Sequence, residues 1–379
     1  VSICYLWHIQ KNNSLQVQSH SSSSSLTILI TGGCGFVGSG LGLALKQQYP
    51  AYNIIALDNL KRRGSELNIA RLTQAGVQFV HGDIRNTEDL HFDTAIDYII
   101  DAAAEPSVLA GMGHALGYVI NTNLLGTINT LQLAATHKAK LIFLSTSRVY
   151  PIAHLDAIAY TEGDTRFIIC EQQQLPGITP NGISEDFPLD TARSVYGATK
   201  LASELLAEEY RAFFGVDYVI NRCGVIAGPY QMGKVDQGVV TLWMARHYWK
   251  KEISYIGYGG SGRQVRDVLH IDDLFALVDY QLHHFDTVSG RTFNAGGGIF
   301  SSVSLKELTS LCRQITGNTV AENIVTETRK GDVPIYITDN SRVTAATGWQ
   351  PQKDIRAVLQ DIYTWLRQNE QQLAPILNL

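Results

Sequence analysis

Leu26-Thr27-Ile28-Leu29-Ile30-Thr31-Gly32-Gly33-Cys34-Gly35-Phe36-Val37-Gly38 is the stretch that decides the fold. It begins as an apolar run of strand length, the pattern of a strand buried on both faces of a parallel sheet. Glycines follow at once, spaced G-x-x-G-x-x-G at Gly32, Gly35 and Gly38. A helical pattern then runs through Val37, Leu41, Ala44 and Leu45. Strand, glycine turn and helix in that order predict a βαβ unit. Outward from it, strands are expected at Asn53 to Leu57, Val77 to His81, Tyr98 to Ile100, Leu141 to Leu144 and Tyr218 to Asn221. Helical patterns at Leu67 to Ala75, Asn123 to His137 and Tyr196 to Phe214 lie between most of them. This alternation predicts an α/β fold with a doubly wound parallel sheet.

Beyond Arg222 the alternation weakens and glycine-rich loops break up shorter helices, so a smaller C-terminal α/β lobe is expected there. The expected division is a flexible extension or overlong start at 1–25, a cofactor-binding domain at 26–222 and a mainly substrate-binding lobe at 223–379. Residues 151–193, rich in Pro, Gly and acidic residues, read as a long functional loop.

Composition excludes several classes. A net charge of −5, with no basic run longer than Lys61-Arg62-Arg63, argues against a nucleic-acid partner. Five cysteines without a C-x-x-C pair argue against a disulfide framework or zinc site and for a reducing cytoplasm; no metal is expected. No apolar run reaches the roughly 18 residues of a membrane span, so no membrane partner is expected.

The glycine turn carries the first chemistry. Gly32, Gly35 and Gly38, with Phe36 and Val37, let the backbone and the N–H groups at a helix start meet a pyrophosphate. Asp58 ends the second strand twenty positions after Gly38, where a carboxylate accepts both ribose hydroxyls of an adenosine and repels a 2′-phosphate. That favours NAD over NADP, although Arg62 and Arg63 lie close enough to receive a phosphate. Asn59 follows Asp58. Asp83, with Ile84, is placed for the adenine, or is an ordinary turn aspartate. Ala102, Ala103 and Ala104 after the fourth strand let the cofactor pass closely. Asn123 supports the nicotinamide region or caps a helix.

Tyr196 and Lys200 stand at i and i+4, on one face of a predicted helix. A free tyrosine, with a pKa of about 10, is a poor base near neutrality, and a neighbouring ammonium favours its phenolate. Upstream, Ser145-Thr146-Ser147 ends the fifth strand, where ligands bind in such sheets. A hydroxyl there would align the reacting oxygen, or it is a plain strand-to-loop turn.

Together these residues resemble the extended short-chain dehydrogenase/reductase superfamily, in its nucleotide-sugar epimerase and dehydratase branch, from about Leu26 to the C-terminal region. The resemblance implies a Rossmann-type fold, tightly bound NAD, a nucleotide-sugar substrate and a homodimer or homotetramer. It selects Thr146, four positions before Tyr150 of the Val149-Tyr150-Pro151 segment, to join Tyr196 and Lys200 as the catalytic group. Pro151 replaces the branch's glycine, which alters the loop after it. Within the branch the chain is similar to the CDP-paratose 2-epimerase (CDP-tyvelose epimerase) family. The segments that carry this are Asp58-Asn59-Leu60 with His81 to Asn86, the insertion Thr161 to Asp190, Val235-Asp236-Gln237-Gly238, and Gly262 to His270. One departure is Asp101-Ala102-Ala103-Ala104-Glu105, whose carboxylates are unusual after the fourth strand.

The same resemblance implies that Arg266 and Arg329 pair with the diphosphate, that Asp332 lies near the nucleotide ribose and that Gln237 contacts substrate. The implied reaction oxidises C2 to a ketone and re-reduces it on the opposite face. A 4-epimerase would use the same residues on another carbon. A 4,6-dehydratase needs carboxylates just after the catalytic Thr, where this chain has Ser147 and Arg148. A non-catalytic dinucleotide sensor would lack Tyr196 or Lys200, and both are present.

Overall fold

The structure is a computed structural model, described at residues 25–108, 110, 115–233 and 237–377. The expected extension lies outside these residues save for Ser25, and so do Val235 and Asp236.

Strand β1 (Thr27–Thr31) is buried along its whole length. Ile28 and Ile30 point to one face of the sheet and Leu29 to the other, so each face receives its own core. Parallel neighbours follow: β2 (Asn53–Asp58), β3 (Gln78–His81), β4 (Tyr98–Asp101) and β5 (Lys140–Thr146). Tyr218–Cys223 and Arg291–Ala295 complete seven strands in the order β3-β2-β1-β4-β5, then these two. Every pairing among them is parallel. Helix α1 (Phe36–Gln48) packs with Ile271–His283 over one face through Leu41, Leu45, Leu274 and Leu277. Leu131, Leu133 and Ala207, from helices Gly126–His137 and Val195–Phe214, cover the other. The order reverses at β1, which opens a crevice at the strand ends between β1 and β4. Ligands bind at such switch points. The expected Rossmann-type doubly wound sheet is therefore what the chain forms.

The C-terminal lobe holds a second sheet of Val225–Ala227, Val265–His270, Ser302–Ser304 and Ile335–Tyr336. Its core uses Trp243, Met244, Leu308, Ile362 and Trp365. The lobes interleave, since Ile271–His283 and Arg291–Ala295 return to the large sheet.

Residues 151–193 are more ordered than the expected loop. They form a helix, Ile152–Asp156, and two small hairpins, Tyr160–Glu162 with Phe167–Ile169 and Ile178–Thr179 with Gly182–Ile183. Strands of two or three residues are too short to show a period. Their anchoring is long-range: Arg166 forks onto Glu307 at 2.6–3.1 Å, and Ile183 and Phe187 pack with Val333 and Tyr336. No helix among the described residues is long and apolar enough to cross a membrane.

Candidate active site

Two adjoining cavities open at the strand ends. The first, of about 550 Å³, is walled by the glycine turn, Asp58, Asn59, Ile84 and Ala102 to Glu105. Gly32 has φ +64, and a Cβ there would lie 2.9 Å from the Ala103 Cα. The β1 turn and the start of the loop after β4 thus touch through backbone alone, as a turn that meets a pyrophosphate requires. Gly38 packs α1 onto the turn so closely that a Cβ would sit 2.2 Å from Gly32 O.

The Asp58 carboxylate accepts from the N–H of Cys34 at 3.0 Å and of Leu60 at 2.7 Å. Burial pushes its pKa up, and those N–H groups partly offset that. A carboxylate offers about four lone-pair sites, and Asp58 lines the cavity. Arg62 and Arg63 donate to the Met232 and Pro375 carbonyls at 2.7 and 3.0 Å. Asp83 is held by a two-pronged Arg85 contact, 2.6 Å at its shortest, and by Asn59 at 2.9 Å. The Arg85 guanidinium lowers its pKa to about 2. Asn123 does not follow the helix-cap reading. It is fully buried on a π-helical turn, and its amide exchanges two hydrogen bonds with the Glu105 backbone, at 2.8 and 3.0 Å. It fastens the loop after β4 and does not cap a helix.

The second cavity, of about 450 Å³, shares Phe36, Val37, Ala102, Ala104 and Gln237 with the first. Thr146 and Tyr196 face it, as do Arg148, Gln237, Arg266, Arg329 and Asp332. The Ser194 hydroxyl caps the helix that bears Tyr196 and Lys200, accepting from the Gly197 N–H at 3.1 Å. Burial moves the Tyr196 phenol up to about 12, while Thr146 and Arg148 pull it down. Lys200 follows Tyr196 by one turn on this helix. It is 1% exposed, its Nζ lies 3.9 Å from the Phe143 ring centroid, and the carboxylates that act on it are Asp101 and Glu204. Burial lowers its pKa.

Asp332, implied to lie near a ribose, lines the second cavity and accepts from Arg266 at 2.7 Å. Arg266 also donates to the Val333 carbonyl at 2.7 Å. Gln237 Oε1 is buried with no hydrogen-bond partner among the described residues, and the residue lines both cavities. Ser145 is withdrawn from the cavity's chemistry because its hydroxyl donates to Glu204. Glu204 is in turn gripped by Arg222 at 2.7 Å, with both side chains under 10% exposed. Sequence reading missed Arg148 and this pair. Glu204 lies one helical turn past Lys200, at a spacing that signals a shared face.

The family of NAD dependent epimerases and dehydratases matches this sequence over residues 28–296. The chain belongs to that family. CDP-paratose 2-epimerase of Salmonella typhi is 31% identical over 350 residues, covering 90% of this chain and 99% of that protein. dTDP-glucose 4,6-dehydratase of an Actinoplanes species is 26% identical, covering 91% and 98%. The crystal structure of UDP-glucuronic acid 4-epimerase from Bacillus cereus with UDP-glucuronic acid and NAD superposes with a TM-score of 0.74. It is 25% identical, with 90% and 99% of the two chains covered.

The protein is thus an NAD-dependent enzyme of the nucleotide-sugar epimerase/dehydratase family, of the extended short-chain dehydrogenase/reductase type, and its class is isomerase. The residues fit NAD: the glycine turn has no room for side chains where a pyrophosphate must pass, and Asp58 lines the same cavity. Among the described residues no cluster of His, Cys, Asp and Glu could hold a metal ion.

Proposed function

We propose that this enzyme inverts C2 of CDP-paratose to give CDP-tyvelose. The observation that carries the reading is the 31% identity to CDP-paratose 2-epimerase over nearly the full length of both chains. The occupant of the position after Ser147 supports it. A 4,6-dehydratase needs groups that give and take protons there, and Arg148 stays protonated.

In this reading Thr146 aligns the sugar C2 hydroxyl and Tyr196 takes its proton. NAD, when bound, accepts the C2 hydrogen as hydride and returns it. The resulting 2-keto sugar turns in the cavity, and Tyr196 gives the proton back as C2 is reduced from its other face. Gly32, Gly35, Phe36, Val37, Gly38, Asp58, Asn59, Asp83, Ile84 and Ala102 to Ala104 form the cofactor's bed, and Asn123 secures it. NAD stays tightly bound through both halves. Arg266 and Arg329 hold the diphosphate, which displaces Asp332 from Arg266, and Gln237 contacts the sugar. Lys200, one helical turn on from Tyr196, supplies positive charge that favours the phenolate.

A homodimer or homotetramer belongs to the same reading. Exposed Leu116, Ile120, Leu205, Phe213 and Phe214 on adjacent helices support it, and sedimentation velocity tests it. A cytoplasmic site of action is proposed on the free cysteines.

Incubation with a panel of CDP-, UDP-, GDP- and dTDP-sugars, read by NMR, tests the function. CDP-paratose should be inverted at C2 with no NADH accumulating. Inversion of a UDP-sugar at C4, or loss of water, in its place would contradict the reading.

A further inference from the structure

The second cavity extends into the C-terminal lobe, where Trp243, Ser254, Ile256, Gln264 and Leu308 line it. Strand Ile253–Ile256 turns Ser254 and Ile256 to one face, because alternate residues of a strand point the same way. Tyr255 between them points the other way and donates to Thr309 Oγ1 at 2.7 Å, as the Trp243 indole does at 2.9 Å. Helix Leu305–Thr316 is thereby tied to this strand, and its Lys306 N–H donates to the Gly262 carbonyl at 2.8 Å. Apolar side chains from three elements are gathered at this end of the cavity, with few polar groups among them. A flat aromatic base needs such walls.

One of those polar groups is unpaired. Gln264 is 6% exposed, and its Nε2 donates to the Ile256 carbonyl at 3.0 Å. That bond fixes which way the amide faces, since the turned amide would set two acceptors together. Oε1 is left buried with no hydrogen-bond partner among the described residues. A buried acceptor without a donor is costly, and the residue that carries this one lines a ligand cavity. Arg266 follows two positions later, about 7 Å along an extended chain, and lines the same cavity. One nucleotide can therefore reach both, with its diphosphate at Arg266 and its base at Gln264.

We propose that Gln264 reads the base: its Oε1 accepts from the 4-amino group of a cytosine and so selects cytidine over uridine diphospho-sugars. The inference rests on the cytidine substrate proposed above and names the residue that chooses it. Cytosine and uracil are alike in size and share O2, so neither the apolar walls nor the Ser254 hydroxyl can tell them apart. They differ at position 4, where cytosine carries an N–H donor and uracil a carbonyl acceptor. Against a fixed acceptor the amino group completes a hydrogen bond, whereas O4 leaves two buried acceptors facing each other. A site that hydrogen-bonds one group of its substrate rejects the analogue lacking it more strongly than a site that fits by shape. The choice of base is independent of which sugar carbon reacts.

The test uses the NAD-loaded full chain and reads binding of CDP and UDP by calorimetry, so no turnover is required. The parent should bind CDP at least about tenfold more tightly than UDP, the size expected when a buried acceptor loses its donor. Gln264→Met keeps the length of the side chain but has no amide oxygen. In it CDP should bind about tenfold more weakly while UDP affinity stays within about twofold, so the ratio falls towards one. The diphosphate of pyrimidin-2-one riboside, which lacks the 4-amino group, is the complementary probe. The parent should bind it more weakly than CDP, and the variant should not distinguish the two. If Gln264→Met loses NAD or its fold, Gln264→Ala takes its place in the same titrations. A ratio unchanged in the variant, or both affinities lowered by the same factor, overturns the proposal and leaves Gln264 a packing residue. A parent that binds UDP as tightly as CDP overturns the cytidine reading itself, and this inference with it. The two failures are distinguishable, because the first is seen in the variant and the second in the parent.

Discussion

The cofactor turn and the substrate cavity sit side by side yet are built on different principles. The turn is one continuous run, Thr31 to Gly38, and its shape is dictated by what has no side chain: a Cβ at Gly32 or Gly38 would collide with backbone. The second cavity draws on residues from Phe36 to Asp332, and its polar wall holds paired charges. Arg266 and Asp332, 66 positions apart in sequence, pair with each other there. A site made by sterics is present before its ligand arrives. A site made by paired charges has partners to exchange.

Substitutions can break that contrast, and the largest effect is expected where the two regions meet. Tyr196→Phe leaves both walls intact but removes the proton acceptor, so kcat should fall about 10²–10⁴-fold with NAD content unchanged, measured by turnover and cofactor absorbance. Glu204→Gln breaks the buried pair beneath the cavity. Loss of one partner of such a pair costs about 3–5 kcal/mol, which urea denaturation will show. Gly38→Ala strikes the steric side. It should cost about 1–3 kcal/mol, as overpacking does, and release NAD, with KM for the sugar little changed in molecules that keep it. Arg266→Met strikes the charged side, so KM should rise at least about tenfold while NAD content and the thermal midpoint hold. A variant on either side that damages both properties equally would dissolve the distinction.

The smallest effect is a pH dependence. Arg85 holds the folded Asp83 carboxyl at about 2, below its ordinary 3.8. A depressed folded pKa means that the unfolded chain binds the proton first as pH falls. The stabilisation is complete above the unfolded value and is lost between about pH 4 and pH 2. Arg85→Met should be less stable than the parent above about pH 4, and that difference should vanish between about pH 4 and pH 2 as the melting midpoint is followed against pH. The absence of such a difference would mean that the Asp83–Arg85 contact, partly open to solvent, contributes nothing to stability.

The same contrast explains what could be read without a structure. The strand-glycine-helix turn and the strand ends at Asp58 and at Ser145 to Ser147 were legible because local backbone sterics fix them, while the choice of Thr146 within that cluster came from the family resemblance. The seven-strand order follows from alternation, but the return of Arg291–Ala295 to the large sheet does not, since nothing local marks it. The hairpins in 151–193 escaped notice because they depend on Glu307 and Val333, far along the chain. Lys200 was correctly set on the Tyr196 face of its helix. Its burial between Asp101 of β4 and Glu204 of its own helix depends on the fold. Arg148 stood beside Thr146 in plain view, but sequence reading took it only as a missing carboxylate. Its turn is packed on Gly197 of the Tyr196 helix.

The central claim is a transient oxidation at C2 by a cofactor that never leaves. CDP-paratose deuterated at C2, incubated with the purified enzyme and followed by NMR and mass spectrometry, tests it most directly. The account predicts CDP-tyvelose with deuterium retained at C2 and a slower rate than the unlabelled sugar. Inversion with deuterium washed out into water would mean that the C–H bond yields a proton rather than a hydride, and would contradict it.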